Sequence, residues 1–362
     1  MTDITTETSV NETVEEENKM PKLPKSLSMT LPNDKLAKKL FTLDDEIFQI
    51  LSGGEPVKIV EIQKPLVKSE LRVEVERIAD ILQIPPDGFD KSVFLAVTAI
   101  QELGIEFVIP EMVYQILGGN KKDLSEDMRN EIIDSIRRLS KINVLFDMSA
   151  LAKKIGYDNG DGKGAEFEGH LLPVERASKI IDGREMTVYK FLEKNVLLRV
   201  AQRKGQLLTI NSIVFSTPKL KLSAGSDGTV SLKTFIINRV KEIIGSHVST
   251  SKRVTRLEPT ITFASIYKAL RLDDPPKRKR QQIRSNCEKI LNHLREIGEI
   301  DDWNFRREKS EHGTPEVTAI EIKFTTKKTT IKIKIFSKNG GIRYLLWRNT
   351  VPIRRNTVPI TF

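Results

Sequence analysis

The sequence predicts an α+β protein in which one arrangement, three helices followed by a β-ribbon, occurs twice in tandem. The length of 362 residues suits about two domains, and hydrophobic residues make up 39% of the chain, which is enough to build cores. The order of helical and strand patterns between residues 85 and 230 returns between residues 231 and 325. The last helical segment of that repeat, 276–297, is apolar on one side and cationic on the other.

The charge of the chain indicates an anionic partner. The net charge is +10, and a basic protein most often meets nucleic acid, although solubility accounts for some of the charge. The first twenty residues hold six acids and one base, whereas the segment from Ile322 to the end holds ten bases and no acid. An acidic head with a basic tail is typical of a nucleic-acid-binding protein with a solvated arm.

The chain carries no sign of a membrane or secretory protein. Its apolar runs fall short of 18 residues, and its acidic N-terminus lacks a signal-peptide pattern, so we expect a cytoplasmic protein. The single cysteine, Cys287, allows neither an internal disulfide nor a cysteine zinc site. We expect it to be a small buried hydrophobe on the apolar face of its helix.

The N-terminal third is predicted to lack a core of its own. Residues 1–45 are polar and acidic with little periodicity, so we expect a disordered arm. Residues 46–84 are predicted to form a β-hairpin arm, because 57–63 and 70–76 each alternate apolar and polar side chains.

The first domain is predicted to span residues 85–230. Asp90 is expected to cap a helix that stops near Gly104, Pro110 opens a second helix, and Ser125 caps a third. A strand over 143–149 follows.

A glycine-rich connection over 156–164 leads to two further strands, 167–181 and 186–193, which we expect to be joined by a tight turn at Asp182–Gly183. The glycine-rich segment lacks the Ser or Thr that a phosphate-binding loop places after its lysine, because Gly164 stands there.

The second domain, residues 231–325, repeats this order. Its helices are predicted at 231–245, 263–270 and 276–297, before a hairpin that turns at His312–Gly313. The motif Met112–Leu117 aligns with Ser265–Leu270. A basic tail, 326–362, contains a strand-like stretch at 329–336 and the sequence RNTVPI twice. The alternative to two related domains is one mixed domain whose helices merely resemble each other.

Three helices followed by a β-ribbon is the winged-helix plan, in which the third helix enters the major groove and the wing reaches the flanking backbone. The predicted fold is therefore two tandem winged-helix domains between a disordered arm and a basic tail. Arg284 and Asn292 are of the types that read guanine and adenine with two hydrogen bonds, and His293 is expected to face solvent or phosphate. The candidate DNA-binding residues of the second domain are Lys277, Lys279, Arg280, Arg284, Lys289 and Asn292 on its third helix, and Arg306 and Arg307 on its wing. Those of the first domain are Arg137 and Arg138.

Two alternatives stay open for these charges. They could be ordinary solvated helix faces. In the first domain, where acids balance the arginines, the third helix could instead serve a weaker DNA contact or dimerisation.

Catalytic chemistry is not predicted. The four histidines have no metal-motif spacing, and Asp301 and Asp302 would point to opposite faces of a strand. We therefore expect a binding protein without catalytic residues, metal or cofactor.

The helical motifs resemble those of plasmid and mobile-element replication initiators built of two winged-helix domains. The resemblance rests on FDKSVFLAVTAIQ, IPEMVYQILGG with DMRNEIIDSIRRL, and TITFASIYKAL with KRKRQQIRSNCEKILNHL, and it covers roughly residues 89–325. It implies sequence-specific binding to repeated double-stranded DNA sites, a homodimer that exchanges with monomer, and a host replication helicase as a further partner. The alternative functions are a winged-helix transcriptional regulator and, less favoured, a nucleic-acid nicking enzyme.

Overall fold

The structure, a computed structural model, forms two compact units that are described separately. The first unit comprises Met1–Ser216 with Leu222–Ser231, and the second comprises Thr217–Lys221 with Leu232–Phe362. The described residues are 20–21, 23–24, 28–32, 57–64, 67–75, 86–147, 166–199, 207–218, 220–224, 228–249, 255–309, 315–325, 331–336 and 342–347. The predicted glycine-rich connection, the turn at His312–Gly313 and both RNTVPI repeats lie outside these residues.

Three helices of the first unit form its α-helical core. They are α1 (Gly88–Glu102), α2 (Pro110–Ile116) and α3 (Glu126–Ser140). Pro110 opens α2, and the Ser125 side chain accepts a hydrogen bond from the backbone of Met128 at the start of α3, so both predicted starts are confirmed. The buried faces include Val93, Ile100 and Ile132.

The predicted N-cap of α1 is wrong by three residues. Asp87 caps the helix, because its carboxylate accepts hydrogen bonds from the backbone of Phe89 and Asp90 at 2.8 and 2.9 Å. Asp90 occupies the third helical position, and its side chain accepts a hydrogen bond from the backbone N–H of Asp87 at 3.1 Å. Two aspartates three residues apart complete a reciprocal capping box, and only the first stands outside the helix.

A three-stranded antiparallel sheet completes this part of the first unit. Its strands are β4 (Phe107–Val108), β7 (Val174–Ile181) and β8 (Arg184–Phe191), in the order β4-β8-β7. The predicted turn at Asp182–Gly183 is confirmed, with φ of 50° and 73°.

The predicted strand over 167–181 is wrong, because β6 (Glu166–His170) ends before Pro173 and β7 begins after it. A proline has no N–H to offer a sheet.

A second sheet in this unit has four antiparallel strands. It contains β2 (Val57–Lys64), β3 (Val67–Val75), β5 (Ile142–Asp147) and β6, in the order β2-β3-β5-β6. The strands β2 and β3 pair as the alternation predicts. They do not form a separate arm, because β3 also pairs with β5 over its last six residues, Glu70–Val75.

The segment predicted to be a disordered arm contains β1 (Ser28–Pro32). This strand pairs antiparallel with β9 (Leu207–Asn211), with Met29 opposite Ile210. The pairing partner lies far along the chain, so local composition gave no signal of it.

The second unit repeats the element order of the first. Its elements are α4 (Thr229–Val248, of which 229–231 fall in the first unit), β10 (Thr260–Thr262), α5 (Phe263–Ala269), α6 (Lys277–Glu296), β11 (Asp302–Lys309) and β12 (Pro315–Lys323). The sheet order β10-β12-β11 places the first strand beside the last, as β4-β8-β7 does. The predicted strand in the tail is confirmed as β13 (Ile331–Phe336), which pairs with β14 (Ile342–Trp347).

The repeat is therefore one of topology as well as of sequence pattern. In both units a helix, a short strand and two more helices precede a β-ribbon, although β5 and β6 stand between the third helix and the ribbon in the first unit. Helices α2 and α5 each have seven residues with a tyrosine fifth, Tyr114 and Tyr267. The chain is a mixed α+β protein with small antiparallel sheets. None of the helices within the described residues is long and apolar enough to cross a membrane.

Candidate nucleic-acid interface

Helix α6 is the longest basic element of the second unit. Pro276 is its N-cap residue, and its 20 residues extend over about 30 Å. Ile297 is the C-cap, and Gly298 follows with a φ of 74°, a conformation that glycine adopts without steric cost. The prediction of a helix over 276–297 is thus correct to within one residue at each end.

One face of α6 is buried in the core of the unit. Ile283, Cys287, Ile290, Leu291 and Leu294 are each at most 2% exposed, which confirms the predicted apolar stripe. Burial raises the pKa of the Cys287 thiol to about 12. At neutral pH the side chain is a protonated thiol, and thiols of this kind are unreactive hydrophobes.

His293 was expected to face solvent or phosphate, and this expectation is wrong. Its side chain is buried, 6% exposed, and it lies three residues from buried Ile290, which places the two on one side of the helix. The buried stripe of α6 is therefore wider at its C-terminal end than the spacing of apolar residues predicts.

The opposite face of α6 is open to solvent. Residues four apart share a helix face, and Lys277, Ser285 and Lys289 form such a row with a glutamine at 281. The exposed residues between Lys277 and Lys289, here called the α6 surface, are Lys277, Arg278, Gln281, Gln282, Ser285, Glu288 and Lys289; Arg295 and Glu296 are also exposed, in the last turn. The sequence-based selection omitted Arg278, Gln281 and Gln282, although their helical spacing with Ser285 and Lys289 was the signal that could have found them.

The Arg284 side chain is a bridge between α6 and its neighbours. Its Nη2 donates to the backbone oxygen of Val317 in β12 at 3.3 Å, and its guanidinium carbon lies 5.5 Å from the centre of the Phe263 ring in α5. The side chain is 27% exposed, and within the described residues its buried Nε has no hydrogen-bond partner. The predicted base-reading arginine is therefore partly engaged inside the unit.

A carboxylate lies beside two of the predicted DNA-binding arginines. Glu316 Oε1 is 3.7 Å from Arg280 Nη1 and 3.9 Å from Arg284 Nη2, and Arg280 Nη1 also lies 3.9 Å from Asp274. Burial raises the pKa of nearby Tyr267, while Arg284 and Arg280 oppose that rise. These four groups, Tyr267, Arg280, Arg284 and Glu316, are called the Glu316 cluster below.

The remaining candidates of the second unit lie at different degrees of exposure. Asn292 accepts a hydrogen bond at its Oδ1 from Trp303 Nε1 at 3.2 Å, and Lys279 is half-buried. On the ribbon, Arg306 lies 2.8 Å from Glu308, and Arg307 is exposed. A β-bulge between Arg306 and Arg307 shifts the register of the ribbon there.

The third helix of the first unit presents a different surface. Arg138 is held by buried Asp90 at 2.8 Å, Arg137 lies 3.7 Å from Asp134, and Arg129 pairs with Glu111. The exposed residues of α3 are Glu126, Asp127, Asn130 and Glu131. Arg137 and Arg138 are therefore drawn to acids of their own unit, and the exposed face of α3 is acidic where that of α6 is basic.

The described residues contain no group of three or more His, Cys, Asp or Glu side chains that could hold a metal ion.

No family model matches the chain, and no curated protein matches it. Two crystal structures of domain 2 and domain 3 of RctB are similar at a low level. One, from selenomethionine derivatives, is 13% identical, with 74% of this chain and 91% of that chain covered and a TM-score of 0.35. The other is 11% identical, with the same coverage and a TM-score of 0.36. Likeness of this degree carries no argument about function.

Proposed function

We propose that the chain binds double-stranded DNA sequence-specifically through the second unit and initiates replication of a plasmid or mobile element. In this proposal both units are winged-helix domains, α6 is the recognition helix of the second, and the β11–β12 ribbon is its wing. The observation that carries the proposal is the α6 surface, which combines exposed cations with exposed amide and hydroxyl side chains.

The spacing along α6 suits the two tasks of a recognition helix. Lys277 and Lys289 are twelve residues apart, about 18 Å along the helix, which exceeds the major-groove width of about 12 Å. The cations at either end thus reach the phosphates that border the groove. Gln281 and Ser285 lie between them, where base edges present hydrogen-bond donors and acceptors.

The first unit has a supporting role in this proposal. Its α3 offers acids to solvent, and such a face would repel phosphates rather than bind them. We expect its contribution to come through dimerisation. A host replication helicase, which the resemblance to initiators implies, would be a further partner.

Binding to DNA duplexes at several salt concentrations tests the proposal. Fluorescence anisotropy would compare a duplex that carries any short direct repeat found beside the gene with a shuffled duplex of the same length. We expect tighter binding to the repeats and a log–log salt slope of about −0.9 for each phosphate contacted. Equal affinity for the two duplexes would remove the initiator proposal.

The α6 surface has a matched control within the same helix. Arg278→Ala with Lys289→Ala should reduce the salt slope by about two units, because two phosphate contacts are lost. Arg295→Ala removes a cation that lies 3.7 Å from Asp302 at the other end of the helix, and it should leave the slope unchanged. Losses in proportion to the charge removed, two to one, would mean that DNA senses only the net charge.

The competing functions need separate assays. Maintenance of a plasmid bearing the repeats, with and without the protein, separates an initiator from a transcriptional regulator. We propose that the chain acts by binding and not by catalysis. Open circles formed from supercoiled DNA in the presence of magnesium would contradict that proposal.

A further inference from the structure

The Glu316 cluster lies at the junction of the recognition helix and the wing strand β12. Glu316 is 48% exposed, and the side chains of Arg280 and Arg284 are 35% and 27% exposed, so solvent ions reach all three. The two separations, 3.7 and 3.9 Å, are longer than a charge-assisted hydrogen bond. Exposed pairs of this kind contribute little stability, and another anion can displace the carboxylate.

The arginines keep unmet donor capacity beside this carboxylate. Arg284 Nη2 is bound to Val317, and within the described residues its Nε is buried without an acceptor, so an incoming phosphate meets the exposed part of this guanidinium and that of Arg280. A guanidinium binds a phosphate through two parallel hydrogen bonds, which a carboxylate at 3.9 Å does not supply. A phosphate would therefore bind this pair of arginines more strongly than Glu316 does.

We propose that Glu316 occupies a phosphate site of the α6–β12 junction and competes with the DNA backbone for Arg280 and Arg284. This inference rests on the proposed DNA-binding function and adds a specificity-determining residue to it. A site with full base contacts holds α6 close enough for its phosphates to displace Glu316, whereas Glu316 keeps its place on other duplexes and lowers the affinity for those. Repulsive elements of this kind raise the ratio of specific to non-specific binding.

The proposal predicts a change in both affinity and salt dependence for Glu316→Gln. Loss of the competing carboxylate should tighten binding to the shuffled duplex by about threefold, within the range of an exposed ion pair. The slope should steepen by about 0.9, because the arginines then hold a solvent anion that DNA releases. The ratio of affinities for the repeat and shuffled duplexes should fall.

Glu321→Gln provides a control with the same change in net charge. Glu321 lies on the same strand, about 17 Å along it from Glu316, and accepts a hydrogen bond from Asn304 Nδ2 at 3.1 Å. We expect this variant to bind both duplexes as the unaltered protein does. If Glu316→Gln and Glu321→Gln behave alike, the competition is refuted while the DNA-binding proposal stands.

A probe without DNA separates the two proposals. If the unaltered protein binds no duplex, the proposed function fails, and thermal unfolding in increasing pyrophosphate then decides the phosphate site. A larger rise of the melting temperature in Glu316→Gln than in Glu321→Gln would support the site. Equal rises in the two variants would overturn it.

Discussion

Arg138 donates hydrogen bonds from Nε and Nη2 to the same carboxylate oxygen of Asp90, at 3.3 and 2.8 Å. The contact joins α3 to the first turn of α1, and Asp90 is 1% exposed. Because Asp90 also accepts a hydrogen bond from the backbone of Asp87, one carboxylate orders the start of α1 and fixes it to the last turn of α3.

Arg138→Ala should therefore destabilise the first unit by about 3–5 kcal/mol, since it leaves the Asp90 carboxylate buried without its cation. Urea unfolding monitored by circular dichroism measures the change. Asn130→Ala, on the exposed face of α3, is the control and should stay within about 0.5 kcal/mol of the unaltered protein. If Arg138→Ala also changed the free energy of unfolding by no more than this, solvent would have to stabilise the charge of the Asp90 carboxylate in place of the arginine.

Gly118 occupies a position that a side chain cannot share. A Cβ there would lie 2.0 Å from the backbone oxygen of Phe215, and φ is 89°. Gly104 has a similar φ of 77° but open space around it. Gly104→Ala should thus cost about 1–2 kcal/mol from the backbone alone, and Gly118→Ala should cost clearly more. Equal melting temperatures for the two variants would show that the segment around Phe215 gives way.

Lys233 is 1% exposed, and burial lowers its pKa from 10.5 to about 7. Between these values the unfolded chain holds a proton that the folded chain has lost, so the free energy of unfolding rises with pH through this window. Below about pH 7 the cost of the buried charge is fully present.

Lys233→Met should be more stable than the unaltered protein at pH 6, and the difference should shrink by several kcal/mol towards pH 10, at about 1.4 kcal/mol per unit of pKa. Unfolding in urea at a series of pH values measures it. Exposed Lys268→Met should show no such trend. A constant difference for Lys233→Met would mean that this lysine stays charged in the fold.

Arg284 and Lys289 stand on the same helix with different environments. Arg284→Ala removes the hydrogen bond to Val317 and the contact with Phe263, so it should destabilise the second unit by about 1–2 kcal/mol. Lys289→Ala should leave stability within about 0.5 kcal/mol and reduce the DNA salt slope by about 0.9. Urea unfolding and anisotropy on both variants test this separation. Loss of stability in Lys289→Ala would contradict it.

Local signals in the sequence predicted the helices well. Pro110 and Ser125 mark helix starts by their own chemistry, and the apolar stripe of α6 follows from its period. The turn at Asp182–Gly183 is equally local. The capping box of α1 was misassigned because Asp87 and Asp90 are both suitable caps.

The errors that remain concern contacts between distant residues. Sequence composition does not distinguish an arginine that contacts phosphate from one that pairs with a buried acid, as Arg138 does with Asp90. The burial of His293 likewise depends on which residues pack against α6. The coupling of Arg284 to Glu316 joins a helix to a strand more than thirty residues away. These placements follow from tertiary packing, which leaves no local signal in a single sequence such as a hydrophobic period or a capping residue.

The pairing of β1 with β9 has a consequence for synthesis of the protein. About 180 residues separate Ser28–Pro32 from Leu207–Asn211, so the first strand leaves the ribosome long before its partner exists. At a translation rate of about 5–20 residues per second, β1 remains unpaired for roughly ten seconds or more. The first unit therefore forms the β1–β9 pair only when more than half of the polypeptide has been made. Truncation before residue 207 would leave β1 without its pairing strand.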